Sequence, residues 1–178
     1  METRSRKQHG GWEKSVFVTV GTTRFDKLIE TVCCASTLKC LQMLGYKKVL
    51  LQVGAGEVEP TESTVQGITV DSYRFKPSIK EDIDSADLVI SHAGAGSCLE
   101  TLGAGKKLLV VINDELMGNH QLELAYQLHQ DQHLYYCNCK NLVETLETSD
   151  FEKLVPFQPG KPEIFAQFLD KMMGFSSP

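Results

Sequence analysis

The stretch Asp87-Leu-Val-Ile-Ser-His-Ala-Gly-Ala-Gly-Ser-Cys-Leu-Glu-Thr-Leu102 predicts a buried strand, a glycine loop and a helix in succession. The helix is expected to begin near Ser97. Gly94 and Gly96 allow the backbone to turn tightly and to approach a ligand, and free N–H groups at the start of the helix attract anions. Because Ser97-x-x-Glu100 also matches a capping box, Glu100 has two interpretations, as a helix-capping residue and as a ligand of a sugar hydroxyl.

Strand and helix patterns alternate along the rest of the chain. Six segments have the apolar or alternating pattern of strands, namely 15–20, 48–53, 68–73, 88–91, 107–112 and 133–137. Helical patterns lie between them, including one continuous run from 25 to 45 and another from 120 to 130. Continuous apolar strands that alternate with helices predict an α/β fold, Rossmann-like, with a mostly parallel sheet and helices on both faces.

Ligands of such sheets bind beyond the carboxyl ends of the strands. Four loops are expected to converge at that edge: 21–23, 73–77, 92–96 and 113–121. The segment between 54 and 63 is expected to be a polar loop without a strand. The candidate site is therefore assigned to one edge of the predicted sheet.

Composition limits the function classes. The chain has 178 residues, of which 42% are hydrophobic, and a net charge of −5, which fits one soluble domain and argues against general nucleic-acid binding. Residues 1–14 have no apolar core of a secretory signal and are expected to be a disordered leader, with the domain at 15–178. The six cysteines form no Cys-x-x-Cys pair, which favours a reducing compartment and no zinc site.

Several motifs allow more than one interpretation. Gly94-x-Gly96-x-x-Leu99 departs from the dinucleotide fingerprint at its third position, which leaves a nicotinamide oxidoreductase as a minor alternative. Asp82-x-Asp84 resembles a metal-binding pair, but residues two apart on a helix point to different faces, so a solvated helix surface is expected. His92 follows a buried strand and is either structural or a phosphate contact.

The last part of the chain carries a wide apolar stripe. Within 162–173, two phenylalanines and two methionines lie at helical spacing with other apolar residues, which predicts an amphipathic helix. Packing of one edge of this helix on its own sheet is favoured. The other edge would then stay available to a partner, because methionine-rich surfaces adapt well to one.

Three segments, Val18-Thr-Val-Gly-Thr-Thr23, Ala86 to Glu100 and Asn119-His-Gln121, together resemble the donor-binding domain of family 28 glycosyltransferases, the MurG-like family. The similarity runs from about Val16 to the last helix and is greatest with the dolichol-pathway branch. The resemblance implies one half of a GT-B glycosyltransferase, which holds UDP-N-acetylglucosamine.

The resemblance also assigns roles to residues. The positions that correspond to the family's donor site are Gly21, Thr22, Phe75, Lys76, His92, Gly94, Ala95, Gly96, Ser97, Glu100, His120 and Gln121. Thr22 and 94–97 fall on phosphate contacts, the backbone of 75–76 on the uracil, Glu100 on the ribose hydroxyls and 120–121 on the sugar. His92 stands where MurG has arginine. N–H groups at helix N-termini around Ser97 and Thr22 would stabilise the diphosphate, so no cofactor and no metal are expected.

The implied activity is inverting transfer of N-acetylglucosamine from UDP-N-acetylglucosamine to N-acetylglucosaminyl-diphosphodolichol. Since the acceptor-binding half is missing, the resemblance implies a membrane-anchored second subunit that binds the lipid-linked acceptor and carries the catalytic base. Contact through the helix at 162–173 would recruit this cytoplasmic chain to the cytosolic face of the endoplasmic reticulum. A non-catalytic paralogue that binds or regulates is the alternative from another class.

Overall fold

The computed structural model describes residues 13–114 and 119–158, without the side chains of residues 119–121. The strands are β1 (Lys14–Thr19), β2 (Tyr46–Gln52), β3 (Ser63–Val65), β4 (Ile68–Tyr73), β5 (Leu88–His92), β6 (Lys107–Ile112) and β7 (Tyr135–Asn138). The α-helices are α1 (Asp26–Cys33), α2 (Ala35–Met43), α3 (Lys80–Ser85), α4 (Ala95–Gly103), α5 (Asn119–Gln130) and α6 (Leu142–Thr148), and short 3-10 helices lie at Cys139–Asn141 and Phe151–Lys153. The predicted helix at 162–173 and residues 1–12 of the predicted leader lie outside the described residues.

The strands form one sheet of order β3-β4-β2-β1-β5-β6-β7. Every pairing is parallel except the antiparallel contact between β3 and β4. The chain passes from β1 to β2 on one side and returns to β5 on the other side of β1, so the strand order reverses between β1 and β5. Such a switch point leaves a crevice at the carboxyl ends of the two strands, where ligands of α/β sheets bind.

Both faces of the sheet are covered, as the continuous apolar strands require. Side chains of α1, α2 and α6 pack in one core cluster, and those of α3, α4 and α5 pack in a second cluster on the opposite face. The prediction of a Rossmann-like α/β fold with a mostly parallel sheet is confirmed.

Two local predictions were wrong. The helix expected from 25 to 45 is two helices, because Cys34 between them has an extended backbone with a ψ of 149°. The strand β3 was not predicted: it begins where the polar loop expected from 54 to 63 ends, and it pairs with β4 across a turn at Gln66 and Gly67, both with positive φ. All three residues of β3 are exposed, so no apolar pattern marked the strand.

No helix within the described part of the chain is both long and apolar enough to cross a membrane.

Candidate donor site

The carboxyl ends of β1, β2 and β5 open into a cleft of about 420 Å³. Four segments line it: the loop after β1, the end of β2, the loop between β4 and α3, and the end of β5 with the first part of α4. The lining residues are Gly21, Thr22, Thr23, Gln52, Lys76, Pro77, Ser78, Ile79, His92, Gly94, Gly96, Ser97 and Glu100. The cleft therefore lies where the reversal of strand order predicts a ligand site.

The loop after β1 is fixed by hydroxyl groups. The Thr19 Oγ1 accepts a hydrogen bond from the Gly21 N–H at 3.0 Å, and the Thr23 Oγ1 donates to the Val20 carbonyl at 2.8 Å. Gly21 has a φ of +62°, a conformation that favours glycine. The expectation of a helix N-terminus around Thr22 was wrong, because α1 begins only at Asp26.

The loop after β5 passes directly into α4. The helix begins at Ala95 with Gly94 as its N-cap and with no side-chain cap, and its first intrahelical bond runs from the Cys98 N–H to the Gly94 carbonyl at 3.1 Å. The N–H groups of residues 95–97 have no acceptor among the described residues. They lie beside the cleft, where an anion could accept hydrogen bonds from them.

The predicted capping box at Ser97 and Glu100 was wrong. Because the N-cap is Gly94, three residues before Ser97, Ser97 and Glu100 are the third and sixth residues of α4 rather than its N-cap and third residue. Both residues line the cleft. The position of Glu100 on the second turn leaves its carboxylate without a capping role and available to a ligand.

His92 occupies the space between the two loops. A Cβ added to Gly94 would lie 2.2 Å from the His92 Nε2, and one added to Gly21 would lie 2.8 Å from the His92 Cε1. The Nδ1–H donates to the Thr19 carbonyl at 3.4 Å, and burial lowers the pKa of His92 below its ordinary value of 6.5. His92 is therefore neutral at neutral pH, at the position for which the sequence left a structural role and a phosphate contact open.

Gln52, which ends β2, is a cleft residue that the sequence did not single out. Only 4% of Gln52 is exposed, and its Oε1 accepts a short hydrogen bond from the Thr19 Oγ1. Its amide nitrogen has no acceptor within the described part of the chain, and the side chain lines the cleft. The available signal was a single amide after the apolar run at residues 49–51 of β2.

A buried carboxylate on α3 binds Lys76, which lines the cleft. Asp82 accepts hydrogen bonds from the Tyr73 phenol at 2.5 Å and from the Lys76 ammonium at 2.9 and 3.0 Å. The expectation of a solvated helix surface was wrong for Asp82, of which 8% is exposed, although it holds for Asp84, which pairs with Lys80 at the exposed surface. The two carboxylates do point to different faces of the helix.

The structure brings most of the predicted donor-site residues to this one cleft. Gly21, Thr22, Lys76, His92, Gly94, Gly96, Ser97 and Glu100 line it. Ala95 contributes its backbone at the start of α4, and the Phe75 side chain is 56% exposed outside the lining. The side chains of His120 and Gln121, at the start of α5, lie outside the described part. Ligand binding by any of these residues stays a prediction.

Among residues 13–114 and 119–158, no group of three or more histidine, cysteine, aspartate or glutamate side chains is arranged to hold a metal ion.

Known proteins resemble this chain in sequence over the same region. Residues 15–172 match the Glycosyltransferase family 28 C-terminal domain. The human UDP-N-acetylglucosamine transferase subunit ALG13 is 59% identical over 129 residues, which are 72% of this chain and 11% of the human protein. The Kluyveromyces lactis protein of the same name is 34% identical over 174 residues, covering 79% of this chain and 88% of that protein. The chain thus spans about a tenth of the human relative's length.

Solved structures agree with the fold. An NMR solution structure of ALG13 matches with a TM-score of 0.67 and 29% sequence identity, over 88% of this chain and 95% of that one. The crystal structure of Acinetobacter baumannii MurG matches with a TM-score of 0.56 and 18% identity, over 90% of this chain and 42% of the MurG chain. At that identity the MurG match supports the fold alone, which is that of one half of a larger GT-B protein. Because the family match covers most of the sequence, this chain belongs to the glycosyltransferase family 28 C-terminal domain family.

Proposed function

We propose that this chain is the donor-binding subunit of an N-acetylglucosaminyltransferase and holds UDP-N-acetylglucosamine in the cleft between β1 and β5. The observation that carries the proposal is the N-terminus of α4. Its first three N–H groups have no acceptor among the described residues, and they lie beside a cleft at the switch point of the sheet. That arrangement suits a diphosphate, and relatives of this chain are named as subunits of a transferase that uses this donor.

The proposal assigns a distinct group of this chain to each part of the donor. Negative charge grows on the diphosphate as UDP leaves, and the N-terminal dipole of α4 would stabilise that charge without a metal ion. The Glu100 carboxylate can accept hydrogen bonds from the ribose hydroxyls. The backbone of Phe75 and Lys76 would receive the uracil, and His120 and Gln121 would contact the sugar.

The acceptor side belongs to a second chain under this proposal. The relatives are named subunits, which supports a partner. We infer that the partner is membrane-anchored, carries the catalytic base and presents N-acetylglucosaminyl-diphosphodolichol at the cytosolic face of the endoplasmic reticulum. The amphipathic pattern at 162–173 supports this segment as the contact with the partner.

The first experiment measures donor binding to the full chain. UDP-N-acetylglucosamine and UDP should raise the melting temperature, whereas NAD at the same concentration should not. A shift with NAD and none with either uridine nucleotide would overturn the proposal in favour of a nicotinamide enzyme. If UDP-N-acetylglucosamine binds, the second experiment tests transfer.

Transfer to the lipid-linked acceptor should require both this chain and a membrane fraction that contains the partner. The chain alone should give none. Robust transfer by the chain alone would contradict the two-subunit assignment, and donor binding with no transfer in the reconstituted system would favour the non-catalytic paralogue.

The partner contact is tested by deletion from Pro162 onward. The truncated chain should no longer co-purify with the membrane partner, and Phe168→Asp or Met172→Asp should weaken the association while UDP binding is kept. Equal co-purification of the truncated and full chains would locate the contact elsewhere, at the loops around the carboxyl end of the sheet.

A further inference from the structure

Two side chains donate hydrogen bonds to the buried carboxylate of Asp82, and one of them, Lys76, lines the cleft. The Asp82 Oδ2 accepts from the phenol of Tyr73, the last residue of β4, and both Asp82 oxygens accept from the Lys76 Nζ at 2.9 and 3.0 Å. The Lys76 Nζ also lies 4.1 Å from the centre of the Tyr73 ring. Asp82 thus ties the end of a strand, the following loop and α3 to one another.

Burial of the Asp82 carboxylate costs free energy, and the formation of α3 does not by itself account for that burial. Transfer of a carboxylate from water into the protein is unfavourable unless charged or hydrogen-bonding partners replace the water. Lys76 and Tyr73 both supply such partners, and the pKa of the Tyr73 phenol is raised by burial and by its bond to Asp82, so the phenol remains a donor. Asp84, two residues away on α3, forms a solvent-exposed pair with Lys80 instead.

The loop that the carboxylate ties down lies at the cleft. Lys76 and the three residues after it line the cleft, and 42% of the Lys76 side chain remains exposed. The backbone of Phe75 and Lys76 lies between the Tyr73 and Asp82 anchors. A loop that is held in its binding conformation before the ligand arrives does not lose that conformational entropy on binding.

We propose that Asp82 is a positioning residue of the donor site: by holding the Lys76 ammonium and the Tyr73 phenol, it fixes the loop from 74 to 79 in the form that receives the uridine nucleotide. The inference rests on the proposed function, because it assumes that the cleft binds UDP-N-acetylglucosamine. Asp82 itself acts through Lys76 and Tyr73 and is not expected to touch the donor.

The test compares Asp82→Asn with Asp84→Asn in the full chain. Both changes remove one carboxylate charge from the same helix, but only the first removes it from the contact with Lys76 and Tyr73. The dissociation constant for UDP-N-acetylglucosamine, measured by calorimetry, should rise about tenfold in Asp82→Asn and stay within about twofold of wild type in Asp84→Asn. Wild-type affinity in a folded Asp82→Asn protein would overturn the inference.

A double-mutant cycle separates positioning from a general structural role. In a Lys76→Met background, Asp82→Asn should weaken donor binding by only about threefold, because the contact with Tyr73 is then the one left to lose. Full additivity of the two changes would contradict action through Lys76. Should Asp82→Asn fail to fold, Tyr73→Phe replaces it, since it removes one hydrogen-bond donor and keeps the ring. Its expected effect is about threefold weaker binding, and unchanged affinity would overturn the inference.

The outcome is distinguishable from failure of the proposed function. If wild-type protein binds neither UDP-N-acetylglucosamine nor UDP, the donor-site assignment itself fails. If wild type binds the donor and Asp82→Asn binds it equally well, only the positioning role fails.

Discussion

The two loops beside the cleft follow adjacent parallel strands and both contain glycine, yet they are built differently. After β5 the chain enters α4 within three residues, and the N-terminus of that helix lies at the cleft. After β1 the chain continues through Gly21 to Phe25, and α1 begins only at Asp26. The loop after β5 therefore presents a helix dipole to the cleft, whereas the loop after β1 presents a turn and hydroxyl groups.

The start of α1 is engaged elsewhere. The Asp26 Oδ1 accepts hydrogen bonds from the N–H groups of Glu57 and Val58 at 2.8 and 3.0 Å, and the Asp26 Oδ2 pairs with Arg24. The bond from Val58 and the contact with Arg24 are among the causes that lower the pKa of Asp26 below its ordinary value. Two similar glycine motifs thus differ in their contacts: one leads to Asp26, which binds the loop after β2, and the other places the N-terminus of α4 at the cleft.

Gly94→Val should have the largest effect. A side chain at this position would overlap the His92 ring, whose atoms also fill the space beside Gly21, so the two loops would be forced apart. We expect a loss of about 1–3 kcal/mol in the free energy of unfolding, together with loss of UDP binding. Urea denaturation and calorimetry with UDP measure the two effects, and wild-type stability would show that the His92 ring moves aside without cost.

Gly96→Val should separate binding from folding. A Cβ at Gly96 meets no atom within 4 Å, and valine is a better helix former than glycine, so the melting temperature should not fall. The new side chain would occupy cleft space next to the free N–H groups of α4. We expect UDP affinity to fall by more than about tenfold, a loss of about 1.4 kcal/mol or more. Unchanged affinity would remove the N-terminus of α4 from the donor site.

Much of this architecture could be predicted because it depends on patterns that are local in sequence. Strands buried on both faces must be apolar throughout, and the alternation of such runs with helices specifies a parallel sheet. The edge at which the loops converge follows from that topology. The break at Cys34 and strand β3 could not be predicted, because one is a single change in backbone conformation and the other has no buried residue.

The polar part of the site was harder to predict for a different reason. Whether Gln52 or Asp82 is buried depends on partners from other elements, Thr19 in one case and Tyr73 with Lys76 in the other. Sequence spacing does not contain that information. The N-cap of α4 was misplaced by three residues because Ser97-x-x-Glu100 matches a capping box, whereas Gly94 caps the helix without a side chain.

Glu100→Gln tests whether Glu100 binds the donor, which is the interpretation that the observed start of α4 favours over a capping role. Since Glu100 lies on the second turn of α4 and caps nothing, the melting temperature should stay unchanged. Hydrogen bonds to a charged group contribute about 1.5–3 kcal/mol, so UDP affinity should fall about tenfold or more. A lower melting temperature with wild-type affinity would restore a purely structural role.

Asp26→Asn should affect the loop after β1 without affecting the donor. The change weakens the bonds to Glu57 and Val58 and removes the ion pair with Arg24, which we expect to cost about 0.5–1.5 kcal/mol of stability. UDP affinity should remain within about twofold of wild type, because α1 does not present its N-terminus to the cleft. A loss of affinity as large as that of Gly96→Val would mean that both loops contribute to the anion site.

The smallest expected effect is the pH dependence of stability that comes from His92, whose ring separates the two loops. Burial lowers the pKa of His92 in the folded protein below 6.5, so the unfolded chain binds the proton more readily. The stability that depends on neutral His92 is fully present above about pH 6.5 and is lost as the pH falls through the lower pKa of the folded state. Urea unfolding at about pH 7.5, 6.5 and 5.5 should therefore show that the free energy of unfolding falls more steeply with decreasing pH in wild type than in His92→Asn. Equal dependence of stability on pH in the two proteins would contradict a depressed pKa of His92. A separate measurement is the affinity for UDP-N-acetylglucosamine: a rise below about pH 6.5 that disappears in His92→Asn would make His92 a cationic ligand of the diphosphate.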